Sequence, residues 1–388
     1  MKLKCQPSDF QVEELTSVIP GEGEFGFYRL TKRSLGTLEA IQAIARRWKI
    51  SAERFSFGGL KDRHALTRQY LTIEGGPRHH LRQASLEVTY LGQVARPFGS
   101  ADIERNRFCI VLRDMSASQA DRNRQGLQAA ARDGVPNYFD RQRFGSVGSS
   151  GDFVARPWCQ GDFQRALWLA LADASGHDGP RQREEKRYLR DHWGDWAACA
   201  ASLRDGQLRK VVFHLEKHPG DFRGGFARID PALRSLYLAA FQSHVWNRML
   251  ARWLREVCPS EDLFELSWDD QPLALYRRLD DTTRERLAAT SLPLPSARLH
   301  LDEGPTKQLV TEVVGEMGLE LRQMRVKYPR DSFFSKGGRN AVFFADQLQQ
   351  ETLPDDLYPG RRKMTLRFQL PRGAYSTVLV KRIAAPQG

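Results

Sequence analysis

The chain has 388 residues, enough for two domains or for one domain interrupted by another. Apolar residues make up 41% and charged residues 27%, a balance that excludes wholesale disorder. A formal net charge of +12 points to a polyanionic partner, nucleic acid first, against the plainer reading of a merely basic surface. The five cysteines are scattered without a close pair, so neither a disulfide framework nor a zinc site is indicated. No apolar run has signal-peptide or membrane-span length, and the expected location is the cytoplasm.

In chain order, "DFQVEEL" reads as a strand, and "PGEGEFGFYRLTKR" as a Gly-rich turn leading into a second. "GTLEAIQAIARRWKI" predicts a helix with Thr37 as its N-cap and Leu38, Ile41, Ile44 and Trp48 near helical spacing. "RQYLTIEG", "LEVTYLGQVA" and "NRFCIVLRDM" alternate as strands. A polar-faced helix follows, ended by Asp133-Gly134, and then an irregular loop, "VPNYFDRQRFGS". From about 155 to 340 the chain reads as mostly helical. Its longest helix starts at Asp230 as N-cap with Pro231 at the first position, and carries a stripe from Leu233 and Leu236 to Met249. "KMTLRFQLPRGAYSTVLVKRI" returns to two alternating segments around a Pro-Arg-Gly turn. The class is α+β, with an insertion into one discontinuous domain.

Three segments carry the chemistry. In "FGGLKDRHALTRQY", Asp62 is a lone acid among Lys61, Arg63, His64 and Arg68. Taken alone this is a solvated loop with weak surface ion pairs. Gly58 and Gly59, however, permit close approach of a ligand, and the cations favour the ionised carboxylate, which could serve as nucleophile or base toward a nucleic acid. "PNYFDRQRFGS" joins Asn137, Phe139 and Phe144 with Arg141 and Arg143: aromatics to stack on an unpaired base, an amide to read its edge, guanidiniums for phosphates. A loop pinned by two buried aromatics is the bland alternative. In "AFQSHVWN", Ser243 and Asn247 lie one turn apart and could hydrogen-bond across a domain interface or contact RNA. His79 and His80 lack a carboxylate or Cys partner at ligand spacing, so no metal is expected.

Together with "KCQPSDFQVEE", "GEGEFGFYRLTKRSLGTLEAI" and "FQLPRGAYSTVLVKRI", these motifs resemble the TruD family of pseudouridine synthases, in family order from near residue 1 to about 382. The resemblance implies an isomerase that converts uridine to pseudouridine in tRNA, at position 13, with no metal or organic cofactor; a monomer is expected, although the sequence does not fix the oligomeric state. It implies the mixed, largely antiparallel sheet of pseudouridine synthases in a discontinuous catalytic domain, residues 1–154 and 341–388. The family's own mostly helical domain is then inserted at 155–340, with an RNA cleft between.

By the same resemblance Asp62 is the catalytic acid and Lys4 its paired cation, while Phe10, Asn137, Phe139 and Tyr375 line the uridine pocket. Lys61, Arg63, Arg141 and Arg143 are expected to contact RNA. Asp140 stands where the family usually has glycine. A non-catalytic tRNA-binding protein of the same fold is the competing reading.

Overall fold

In a computed structural model describing residues 1–204, 206–268 and 271–385, the chain divides into two compact units. The first is Met1–Val135 with Phe343–Gly388, and the second is Pro136–Val342. The sequence placed the first boundary near 154; here the chain divides at Val135, so the "PNYFDRQRFGS" motif belongs to the second unit. Among the described residues, no helix is long and apolar enough to cross a membrane.

The first unit is built on nine strands: β1 (Phe10–Leu15), β2 (Phe25–Arg33), β3 (Phe55–Phe57), β4 (Leu66–Glu74), β5 (Leu81–Gln83), β6 (Leu86–Val94), β7 (Arg105–Met115), β8 (Asp346–Pro354) and β9 (Arg362–Pro371). Their order is β8-β9-β7-β1-β4-β2-β6-β5, with β3 also on β4. Only β1 and β4 run parallel. β2 pairs with β4 along its whole length, while the other side of β4 is shared by β1, opposite Leu66–Arg68, and β3, opposite Leu71–Ile73. The loop from β3 into β4, residues 58–65, therefore passes the end of β1.

Helix α1 (Thr37–Trp48) lays Ala40, Ile41 and Ile44 on a core of Tyr28, Leu30, Leu71, Ile73 and Val88. Burying each large apolar side chain contributes about 1.5–3 kcal/mol. Leu38, expected on that stripe, is exposed. Thr37 is not the N-cap either: the helix starts after Gly36, whose N–H donates to Glu39 (3.0 Å), and the Thr37 hydroxyl faces inward. A second cluster, Phe27, Val94, Phe98 and Ile103, completes this part of the core.

Helix α2 (Ala117–Asp133) ends as expected at Gly134, where φ is +74°. It packs against α3 (Ser376–Ala384). The sequence predicted a strand over "STVLVKRI", and the structure corrects this to a helix. Val378, Leu379, Val380 and Ile383 are all buried, and packing on α2 overrides the β preference of the valines.

The second unit is mostly helical, as the sequence suggests. Its longest helix is Pro231–Val257, capped by Asp230, whose carboxylate accepts from Ala232 N (2.8 Å). Tyr237, Ala240, Phe241, Val245 and Met249 are buried along it, whereas Leu236 is exposed. Two small antiparallel pairs accompany the helices, Leu263–Trp268 with Gln271–Tyr276 and Ser291–Pro293 with Gly338–Asn340.

Candidate active site

Lys4 and Asp62 are 58 residues apart in sequence and meet in the first unit. Lys4 Nζ donates to Asp62 Oδ2 at 2.6 Å, and each side chain is about a quarter exposed. Lys4 adopts φ 55°, a left-handed conformation that is uncommon for a residue with a side chain. Its ammonium also sits 4.2 Å from the centroid of the Phe10 ring. Phe10 is only 3% exposed and meets Phe108 edge-on, so it forms the floor beneath Lys4. The segment leading into β1 is held by Arg113 on β7, whose Nε donates to both Asp9 oxygens (3.0 and 2.9 Å) and whose Nη1 donates to Asp355 (2.8 Å). These carboxylates raise the Arg113 pKa further above its ordinary value.

The loop that carries Asp62 is tied down from four strands and a helix. Lys32 on β2 sends Nζ to the carbonyl oxygens of Leu35 (2.7 Å), Asp62 (2.9 Å) and Lys61 (3.2 Å). Thr37 on α1 accepts from Lys61 N (2.9 Å) and donates to Gln69 Oε1 on β4 (2.9 Å), while Gln69 Nε2 donates to Gly59 O (3.2 Å). The Lys61 side chain turns inward, donating to Asn106 Oδ1 on β7 (3.0 Å). It stands 2.9 Å from Glu14 Oε1 on β1, close as an ion pair although the angle is not that of a hydrogen bond. Glu14 is fully buried, and its other oxygen accepts from Tyr70 N (2.8 Å). Lys61, expected to contact RNA, has its ammonium turned to Glu14 and Asn106 in the fold. Arg63 is exposed and pairs with the exposed Glu39 at 3.0 Å. At Gly58 a Cβ would collide with Ile103, so packing alone disfavours a side chain there; Gly59 is open.

Asn137, Phe139, Arg141 and Arg143 lie in the second unit, and Tyr375 in the first, at the start of α3. Asn247 grips the Phe139 backbone from both sides, accepting from its N (2.8 Å) and donating to its O (2.9 Å). Ser243 accepts from Arg143 Nε (3.3 Å). The polar interruption of the long helix thus holds this loop. Arg339 stacks 4.1 Å from the Phe139 ring centroid and donates to Asn137 O (2.8 Å) and Asn137 Oδ1 (2.6 Å). Asn137 Nδ2 donates in turn to Asn340 O (2.9 Å), so the amide expected to read a base orders the loop. Asp140 is buried at an ordinary φ of −79°, a conformation that does not call for glycine. Arg141 is exposed, and with Phe139, Phe144, Phe153, His177 and Asn247 it lines a cavity of ≈ 440 Å³ within this unit.

The family of tRNA pseudouridine synthase D, TruD, matches residues 1–383. The chain belongs to the TruD family. A Methanocaldococcus jannaschii protein named "Probable tRNA pseudouridine synthase D 2" is 28% identical, over 98% of this chain and 91% of its own. The Leptospira interrogans protein named "tRNA pseudouridine synthase D" is 26% identical, over 98% and 95%. A crystal structure of a TruD protein from Methanosarcina mazei shares the fold, with a TM-score of 0.71 at 24% identity, over 99% of this chain and 93% of that one. TruD proteins are isomerases that form pseudouridine in tRNA, and the sheet with its α+β surroundings is theirs.

Several residues that shape this TruD chain are given no site role by the motifs: Lys32, Glu14, Thr37, Gln69, Arg113 and Arg339. A usable signal exists for two of them. Strand alternation puts Glu14 in the register of Phe10 and Val12, and Lys32 in the register of Tyr28 and Leu30, all of them buried. A charge in a core register needs a partner, and that partner is the place to look for function.

Proposed function

We propose that this chain isomerises uridine 13 of tRNA to pseudouridine, with Asp62 as the reacting carboxylate and Lys4 as its paired cation, without a metal or organic cofactor. The observation that carries this reading is the Lys4–Asp62 contact at 2.6 Å, partly open to solvent, on a loop whose backbone is held by Lys32, Thr37 and Gln69. Fixed geometry with one accessible acid is what a nucleophile or general base needs.

The reaction is an isomerisation. The bond from uracil nitrogen 1 to ribose carbon 1′ breaks, the base turns while bound, and carbon 5 joins carbon 1′. Carbon 5 loses its proton and nitrogen 1 gains one, so no redox step is involved. The carboxylate serves as nucleophile toward carbon 1′ or the uracil ring, or as base at carbon 2′. Lys4 keeps negative charge in place in a site that is only partly hydrated. Extruding a nucleotide from its stack costs a few kcal/mol. In the second unit, half-buried Phe139 offers a face for stacking an unpaired base and exposed Arg141 a cation for phosphate.

Mapping of carbodiimide-modified pseudouridine in unmodified tRNA transcripts tests the site. A new stop at position 13, lost in a U13C transcript and insensitive to exhaustive chelation, is the expected result. A stop elsewhere, with position 13 untouched, would overturn the choice of nucleotide.

A further inference from the structure

Lys32 is 1% exposed and, among the described residues, has no carboxylate within ion-pair distance, yet its ammonium holds three carbonyl oxygens. Two of them, those of Lys61 and Asp62, belong to the loop that presents the acid, and the third, Leu35, lies just before α1. The three donors of an ammonium match three acceptors, so the clamp is complete only when Lys32 is protonated. A neutral amine would keep two donors and turn a lone pair toward a carbonyl.

We infer that Lys32 is a positioning residue: its protonated side chain fixes the Lys61–Asp62 backbone and thereby aims the Asp62 carboxylate, making turnover depend on the charge of a buried lysine. This rests on the reading of Asp62 as the reacting group. Burial pushes the Lys32 ammonium down to about 8, opposed by the Asp62 and Glu39 carboxylates and reinforced by the Lys61 ammonium. Those three are the charged groups that face it from the loop and from α1. The clamp is therefore whole at pH 7 and released as the pH rises through about 8.

Fold stability responds to this group in the opposite sense. The unfolded chain keeps the proton up to the ordinary 10.5, so between about 8 and 10.5 deprotonation of Lys32 favours the folded state. Activity lost in that window through Lys32 is thus not unfolding through Lys32.

The test is single-turnover pseudouridine formation with saturating enzyme between pH 6.5 and 9.0, for wild type, Lys32→Met, Lys32→Arg and Asp62→Asn. Wild type should fall along an alkaline limb starting near pH 8. Lys32→Met should lose about 100-fold at pH 7, the scale of a misplaced catalytic group, and show no such limb. Its tRNA affinity should stay within about threefold, since phosphate contacts dominate binding. Lys32→Arg keeps its charge above pH 12, so whatever its rate at pH 7, its limb should vanish from the window. If Lys32→Met does not fold, the Lys32→Arg profile decides alone. A Lys32→Met rate within threefold of wild type, or a Lys32→Arg limb unmoved from pH 8, would overturn the inference. A fully active Asp62→Asn would instead remove the reading on which it rests, whatever the Lys32 variants do.

Discussion

The loop at 58–65 and the loop at 137–144 solve the same problem with different chemistry. Both are irregular, and both depend on side chains that hydrogen-bond to their backbone. The first is held by buried charge, the Lys32 ammonium on three carbonyls and the Lys61–Glu14 pair beneath, with Thr37 and Gln69 adding neutral bonds. The second is held by amides, Asn247 on Phe139 and Asn137 on Asn340, and by the Arg339 guanidinium, which donates to Asn137 and stacks on the Phe139 ring. A buried charge is worth little as a net stabiliser, but removing its partner is expensive, so a loop held by charges is rigid and intolerant of change. An amide hydrogen bond costs less to break, and neither an amide nor a guanidinium titrates between pH 6.5 and 9. The acid proposed to react sits on the first kind of support, and the aromatic proposed to stack on the base sits on the second.

The largest difference should come from the ion pair. Lys61→Met leaves the fully buried Glu14 carboxylate alone and should destabilise the protein by about 3–5 kcal/mol. Adding Glu14→Gln should recover more than half of that loss in urea unfolding, and failure to recover would mean that the pair is not the cause. Asn247→Ala removes both bonds to the Phe139 backbone and should cost about 1–3 kcal/mol. It should raise KM for tRNA more than it lowers kcat, at every pH from 6.5 to 9. A new pH dependence in this variant would erase the contrast between the loops.

The smallest effect is expected at Arg63, whose partner Glu39 is also exposed. Arg63→Ala should change stability by less than about 0.5 kcal/mol. If Arg63 reaches a phosphate, the slope of log affinity against log salt should fall by about one. An unchanged slope would confine Arg63 to its surface pair.

How much of this was legible in the sequence depends on what kind of residue is asked about. The strands at 10–15, 25–33, 66–74, 86–94 and 105–115 follow from alternation, and the helix at 231–257 from its Asp-Pro start and apolar stripe. Two local errors share a cause. Thr37 looks like an N-cap and "STVLVKRI" like a strand from their neighbours in sequence, whereas partners from elsewhere decide: Lys61 and Gln69 for Thr37, and α2 for the C-terminal segment.

The site shows the same limit. Asp62 stands out as a lone acid among cations, and the Asn-Tyr-Phe motif by its aromatics. What each residue does with its hydrogen bonds is a three-dimensional fact. Asn137 is drawn to Arg339, and Lys61 to Glu14, by chain segments that come together only on folding. Lys32 reads as one more basic residue until its register beside Tyr28 and Leu30 is counted.

The central claim is that Asp62 performs the chemistry. The most direct measurement is release of tritium from carbon 5 of uridine in unmodified tRNA, by wild type and by Asp62→Asn, with tRNA affinity measured alongside. The account predicts release by wild type, a loss of about 10⁴-fold or more in the variant, and binding within about threefold of wild type. Release by Asp62→Asn at the wild-type rate, or none by wild type despite tight binding of the tRNA, would contradict it, the latter in favour of a protein that binds tRNA without modifying it.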